Sequence, residues 1–278
     1  MESPRPEPGL SRPASGPAAD PAASLANPHP SASPAAANLP APPAAEILRI
    51  APDLIETMRL EQGRVALWPG HRARLRTSAL ILGYPLDAAA LDGWLAERIR
   101  ALDADKAAGT RPGTDTPPAS APRRLRLLLA ADGRLSLEAA PLPPTPEPVR
   151  IALAADVLGP EATLDAGDPW LRHKTTHRPG FAAAQRWLQA HPDHFDLIFG
   201  NTAGELCEGS RCTIYVRDTA GAWLTPPLAC GLLPGVRRQA LLDEGLAREA
   251  RLSLEDLRQA PALRVSNALR GWMRSDMK

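Results

Sequence analysis

Proline decides where this chain can fold. It lacks a backbone N–H and locks φ, which keeps it out of helix interiors and central strands. Most of the 32 prolines fall in three stretches of the 278 residues. In residues 1–45, proline and alanine fill 25 positions, with no Phe, Trp or Tyr, and Leu10, Leu25 and Leu39 are the large apolar side chains after Met1. Such a segment cannot bury enough surface to offset its ordering entropy, and a disordered, linker-like arm is expected. Residues 104–122 are rich in Gly, Pro, Thr and Ala and are expected to form a loose loop. Pro141–Pro148 holds five prolines and reads as an interdomain linker. The expected organisation is a tail (1–45), a small N-terminal α+β domain (46–140), the linker (141–148) and a larger C-terminal domain (149–278). The length is sufficient for two such cores.

A formal net charge of +1 gives no case for nucleic acid or an anionic membrane as main partner. No run approaches the ~18 apolar residues of a membrane span, and no charged-then-apolar start marks a signal peptide. Cys207, Cys212 and Cys230 form neither an even set nor a CxxC pair, so strand packing is expected in place of a metal site. A reducing, cytoplasmic setting fits that cysteine usage.

Within the folded parts, Ile47–Ile50, Leu54–Arg59 and Val65–Leu67 read as strands. Pro69-Gly70 opens a helix with Leu75, Ala79 and Leu82 near one face, stopped at Gly83. Asp87 caps a second helix carrying Leu91, Trp94, Leu95 and Ile99. Leu125–Ala130 and Leu135–Ala140 form a hairpin. Beyond the linker, strands are expected at Val149–Ala154, Phe195–Phe199, Gly204–Cys207, Thr213–Arg217, Trp223–Thr225 and Ala262–Val265. Helices are expected at Pro179–Ala190 and Gly235–Leu246, with a further helical turn begun by the Ser253…Asp256 capping box.

Four features have a chemical reading. Of the three lysines, Lys106 lies in the loose stretch and Lys278 is terminal, which makes Lys174 the lysine of the folded regions. In an arginine-rich chain this suggests amine chemistry, since a guanidinium stays protonated and is a poor nucleophile. A plain surface lysine is the other reading. Gly231–Arg238, running into an apolar helix, is either a phosphate cradle or a simple turn. Glu205 and Glu208 are three apart in an extended segment and so lie on opposite faces; one can point inward and demand a cationic partner. His71 and Arg74 share a helical side and could bind an anion or form a surface charge pair.

The order of these pieces carries a resemblance. Ile55-Glu56-Thr57-Met58-Arg59, His71…Arg74-Leu75…Gly83, His173-Lys174-Thr175-Thr176, Glu208, Thr225-Pro226-Pro227-Leu228…Pro234-Gly235 and Asn267-Ala268-Leu269-Arg270-Gly271 follow one another over residues 46–275. This resembles the class IV, fold type IV pyridoxal-phosphate enzymes, which include branched-chain and D-amino-acid aminotransferases. The Lys-Thr-Thr and Asn-Ala-Leu-Arg-Gly segments are most similar to 4-amino-4-deoxychorismate lyase, in the version fused behind aminodeoxychorismate synthase component I.

The resemblance implies a two-domain α+β fold and pyridoxal 5'-phosphate as cofactor. Lys174 would hold the cofactor covalently and then transfer protons. Glu208 would pair with the pyridinium nitrogen. Arg74 would bind the phosphate together with the backbone amides of Val236 and Arg237, and Asn267 matches the position of a phosphate-binding threonine. A homodimer is implied, with aminodeoxychorismate synthase as a further partner. A branched-chain or D-amino-acid transaminase and a non-catalytic cofactor-binding relic are the alternatives. Three departures bear on substrate orientation. Arg178-Pro179-Gly180-Phe181 replaces Arg-x-x-Tyr, Cys212-Thr213 replaces Ser-Asn or Glu-Asn, and Arg237 replaces a small or apolar residue.

Overall fold

The computed structural model describes residues 39–109 and 121–277. The arm expected over residues 1–45 therefore lies outside the described residues up to position 38, as does the part of the loose loop from 110 to 120.

Two sheets organise the described residues. The first is antiparallel, in the order β1 (Leu54–Leu60), β2 (Arg123–Leu129), β3 (Leu135–Pro141). Alternation along β2 buries Leu125, Leu127 and Leu129 on one face and leaves Arg124 and Arg126 on the other. The buried face packs on α2 (Trp68–Leu82) through Leu75, Ala79 and Leu82, spaced four and three apart as a helix face requires. Gly83 ends α2 in the left-handed region, φ 72°, where its missing Cβ matters. Leu91 and Leu95 of α3 (Leu91–Gly109) complete this core.

The second sheet has eight strands: β4 (Val149–Leu153), β5 (Asp196–Gly200), β6 (Leu206–Gly209), β7 (Thr213–Arg217), β8 (Trp223–Thr225), β9 (Arg248–Glu249), β10 (Leu263–Asn267) and β11 (Gly271–Asp276). Their order is β6-β5-β4-β11-β10-β7-β8-β9, with β5–β4, β4–β11 and β8–β9 parallel and the rest antiparallel. β5 is buried on both faces, as a central strand with helices or loops on each side must be. Leu197 and Phe199 meet Ala184 and Leu188 of α5 (Ala182–Ala190), while Ile198 joins the core formed with Ile151, Ile214 and Val265. Around this sheet lie α4 (Ala154–Leu158), α6 (Val236–Asp243) and α7 (Leu254–Gln259); Ser253 and Asp256 form the expected capping box of α7. All three cysteines are buried. Among the described residues, no helix is long and apolar enough to cross a membrane.

Several elements differ from expectation. Residues 47–50 belong to a helix, α1 (Ala44–Ile50), because the Pro43 carbonyl accepts from both Glu46 and Ile47 N–H. Ile47 and Ile50, three apart, pack inward while Leu48 is 83% exposed, which is a helical and not an alternating pattern. Val65–Leu67 is a turn, its Val65 carbonyl taking the first N–H of α2. α3 runs on to Gly109, into the stretch expected to be loop. β6 starts at Leu206, since Gly204, φ 77°, closes a turn on Asn201. Ala154 opens α4 instead of extending β4, and β11 was not expected.

Candidate active site

The Lys174 segment is an extended stub laid against the start of β1. Its carbonyl accepts from Ile55 N–H at 2.8 Å, and Thr176 exchanges two bonds with Asp53, N–H to carbonyl at 2.9 Å and Oγ1 from N–H at 3.0 Å. On the preceding side, Asp168 caps the short turn Pro169–Arg172, and the buried Arg172 guanidinium donates to the Leu232 carbonyl at 2.8 Å. The lysine is thus fixed to both β1 and the Gly231–Gly235 loop. His173 beside it is buried, with Nε2 3.2 Å from the Pro40 carbonyl and Nδ1 3.0 Å from Ser78 Oγ. A carbonyl can only accept, so Nε2 carries the proton. Burial lowers the His173 pKa, which agrees with a neutral ring.

Burial, followed by the positive charges of Arg178 and Arg74, pushes the Lys174 amine down to about 7. A large fraction is then neutral and nucleophilic near pH 7. Glu208 on β6 is buried, accepts from Leu233 N–H at 3.1 Å, and is raised by burial to about 7. Nearby Arg178, stacked 4.3 Å over the Phe181 ring, opposes that rise. Glu205 points away to Asn201 and Arg251, so the two carboxylates do take opposite sides.

Arg74 reaches over from α2. Its Nε and Nη2 grip Glu56 at 2.9 and 2.6 Å, and Nη1 donates to the Pro234 carbonyl at 3.1 Å. Three of five N–H groups are engaged, which leaves two for an anion. His71 Nδ1 lies 2.5 Å from the same Glu56, and its Nε2 is buried without a hydrogen-bond partner. Gly70 lets α2 approach α6, since a Cβ there would sit 2.7 Å from Val236 Cγ1. The first N–H groups of α6, at Val236 and Arg237, end beside this guanidinium's Pro234 anchor. Asn267 accepts at Oδ1 from Leu269 and Arg270 N–H, at 3.1 and 2.8 Å, shaping the turn between β10 and β11. Its oxygen is therefore committed to the turn, and its amide nitrogen lies 3.4 Å from the Arg211 carbonyl.

Arg74, Lys174, Glu208, Val236, Arg237 and Asn267 all line one cavity of about 730 Å³. Sequence reasoning missed the role of Glu56, the buried partner of Arg74 and His71. It also missed Asp196, whose buried carboxylate accepts from Ser210 Oγ (2.6 Å), Leu197 N–H (2.9 Å) and Arg211 N–H (3.0 Å), and so shapes the turn after Glu208. A Cβ at Gly209 would lie 2.3 Å from Asp196 Oδ2, a close approach that requires glycine. Nothing local in the sequence marks a lone aspartate as such an anchor.

Residues 53–275 match the profile of the amino-transferase class IV family. No curated protein matches at a significant level. Among solved structures, a proposed amino-acid aminotransferase from Mesorhizobium loti is 34% identical, with a TM-score of 0.65 over 82% of this chain and 100% of that one. The 4-amino-4-deoxychorismate lyase from Pseudomonas aeruginosa is 21% identical, with a TM-score of 0.61 over 83% and 86%. A hypothetical aminotransferase from Mycobacterium tuberculosis, in a pyridoxal-phosphate-bound form, is 22% identical, with a TM-score of 0.61 over 83% and 82%.

Proposed function

We propose, from the premise that the chain belongs to the class IV aminotransferase family of pyridoxal-phosphate enzymes, that it converts 4-amino-4-deoxychorismate to 4-aminobenzoate and pyruvate. One observation carries this reading. The two segments most similar to the lyase, at Lys174 and at Asn267–Arg270, line the same cavity.

The residues present suit the cofactor. A buried Glu208 with a raised pKa needs a cation, which a protonated ring nitrogen supplies. The two spare N–H groups of Arg74 and the N–H groups opening α6 suit a phosphate. When bound, pyridoxal phosphate acts as an electron sink for a carbanion next to the substrate amine.

The chain's residues do the rest. Lys174 would hold the cofactor through its amine, and the same amine would serve as the base once substrate is bound. Free and neutral, it removes the proton from C4. The electron pair left there drives out enolpyruvate from C3, and the proton returned by Lys174 gives pyruvate. Glu208 would keep the ring nitrogen protonated. Arg74, held by Glu56, would bind the phosphate end.

The test is purified protein incubated with aminodeoxychorismate and no keto acid. Many turnovers to 4-aminobenzoate are expected. The relatedness to the M. loti protein favours a second reading, an amino-acid transaminase. That reading wins if amino acids are consumed only with a keto-acid acceptor and no 4-aminobenzoate forms. A relic without activity is disfavoured, because Lys174, Glu208 and Arg74 share one cavity. Homodimerisation and association with aminodeoxychorismate synthase belong to the same proposal, and sedimentation of the mixed and separate proteins tests them.

A further inference from the structure

Three arginines reach the cavity from separate pieces of chain, and among the described residues none has a counter-ion. Arg124 stands opposite Arg59 in the β1–β2 ladder. Alternation sets both on the face that Thr57 shares, away from the core leucines, and Thr57 and Arg124 line the cavity. Arg211 extends from the turn that Asp196 holds by its backbone N–H, its guanidinium 6.0 Å from the Phe195 ring. Arg270 sits in the turn shaped by Asn267, and its guanidinium is tethered to the Pro143 carbonyl (3.1 Å) and to Thr145 Oγ1. The bond from Asn267 to the Arg211 carbonyl joins the two turns.

Two carboxylates line the cavity among the described residues, and neither serves these arginines. Glu208 is buried on Leu233 N–H, and Asp193 is paired with Arg150 at 2.7 Å. Arg59, at the edge of the group, is held by Glu61 at 3.0 Å. Among the described residues no ion pair includes Arg124, Arg211 or Arg270. Their charges do act on one another. Burial, then Arg211, Arg124 and Arg59, pull the Arg270 pKa down. Like charges gathered without compensation oppose folding and focus a positive field into the cavity. Arginine in place of lysine suits planar, two-pronged contact with carboxylates.

We propose that Arg124, Arg211 and Arg270 form one anion site that takes two carboxylates of a single substrate, and so selects dicarboxylates for the chemistry at Lys174. This rests on the reading of Lys174 as the reacting amine, yet it does not depend on whether lyase or transaminase chemistry follows. Each added guanidinium–carboxylate contact is a charge-assisted bond, strong enough to change affinity by about tenfold.

The test measures isophthalate and benzoate binding to the cofactor-loaded enzyme by calorimetry. Isophthalate is expected to bind at least about tenfold tighter, with the preference shrinking as salt rises. Arg124→Gln and Arg270→Gln are each expected to bring the ratio to about threefold or less while the cofactor's absorbance stays unchanged. KM for a dicarboxylate substrate should rise more than kcat falls. Equal binding of the two ligands by the wild type, or an undiminished ratio in the R124Q/R270Q double variant, overturns the proposal. Should a variant lose its cofactor, the wild-type comparison alone decides. Failure of the lyase reading looks different: no 4-aminobenzoate, with the isophthalate preference intact.

Discussion

The Pro40 carbonyl accepts a hydrogen bond from His173 Nε2, 3.2 Å away, one residue before Lys174. The last residues of the proline-rich arm are thus part of the frame around the amine. Pro42 is buried, and Glu46 on the following helix accepts from Trp170 Nε1 at 2.9 Å.

Deleting residues 1–44 therefore has a structural cost. Removing them strips the partner from a buried imidazole N–H and uncaps α1, at a cost of about 1–3 kcal/mol. Removing only 1–38 spares every one of these contacts. Thermal denaturation of the two truncations should separate them, and equal melting temperatures would show that the Pro40 contact contributes nothing.

Lys174 leads to a pH prediction. Its amine is depressed to about 7, so the nucleophilic form fills as pH rises through 7, more than three units before an ordinary lysine. The rate of pyridoxal-phosphate attachment to the apoenzyme should climb between about pH 6 and 8 and then level, followed by the visible absorption band. Borohydride should fix the cofactor at Lys174 and bleach that band. Lys174→Ala should remove turnover by several orders of magnitude. A climb that continues towards pH 10 contradicts the depressed amine, and a mass adduct on another residue contradicts the site.

Glu205 and Glu208 make a matched pair for substitution. Glu208 lines the cavity and is buried; Glu205 faces Arg251 and Asn201. Glu208→Gln should keep fold and cofactor but lose most activity, because a neutral amide cannot hold a ring nitrogen protonated. Glu205→Gln should leave kcat within a few-fold. The opposite ranking would place the wrong face of β6 towards the chemistry.

The division of the two carboxylates was legible in the sequence because a strand repeats every two residues, so three-residue spacing separates them; the choice of Glu208 as the inward one came from motif order. The hairpin Leu125–Ala140 and the Leu75/Ala79/Leu82 face were legible for the same reason: burial follows local periodicity. α1 was not, since four residues with two β-branched isoleucines favour a strand by residue type, while the helical spacing of Ile47 and Ile50 is too short a run to outweigh it and the Pro43 carbonyl decides it. Arg74, Lys174 and Glu208 were traced through motif order. Their supports were not, because Glu56, Asp196 and Pro40 act across 18, 15 and 133 positions, where no local pattern reaches. The departure at Phe181 also gains a physical role, as its ring carries Arg178 at 4.3 Å and stacks edge-on to Phe199 at 5.2 Å.

Glu56 gives the last prediction. It is buried, and burial alone would raise its pKa; the Arg74 guanidinium, then His71, overcome that and pull it to about 2. A carboxylate depressed on folding stabilises fully above its unfolded value near 4.5, and that contribution disappears as pH falls towards 2. Wild-type stability should therefore fall over this window by an extra amount that Glu56→Gln lacks. At pH 7 the variant should be less stable by about 3–5 kcal/mol, since it leaves Arg74 partly desolvated without its partner. Arg74 would also lose its fixed direction, so pyridoxal-phosphate affinity should drop by tenfold or more while Lys174 can still be reduced onto the cofactor at saturating concentration. Urea titrations at pH 7, 4 and 3 read the first effect, and cofactor titration of the apoenzyme reads the second. If the stability gap between wild type and variant stays constant across those pH values, Glu56 is not the ionised anchor of Arg74.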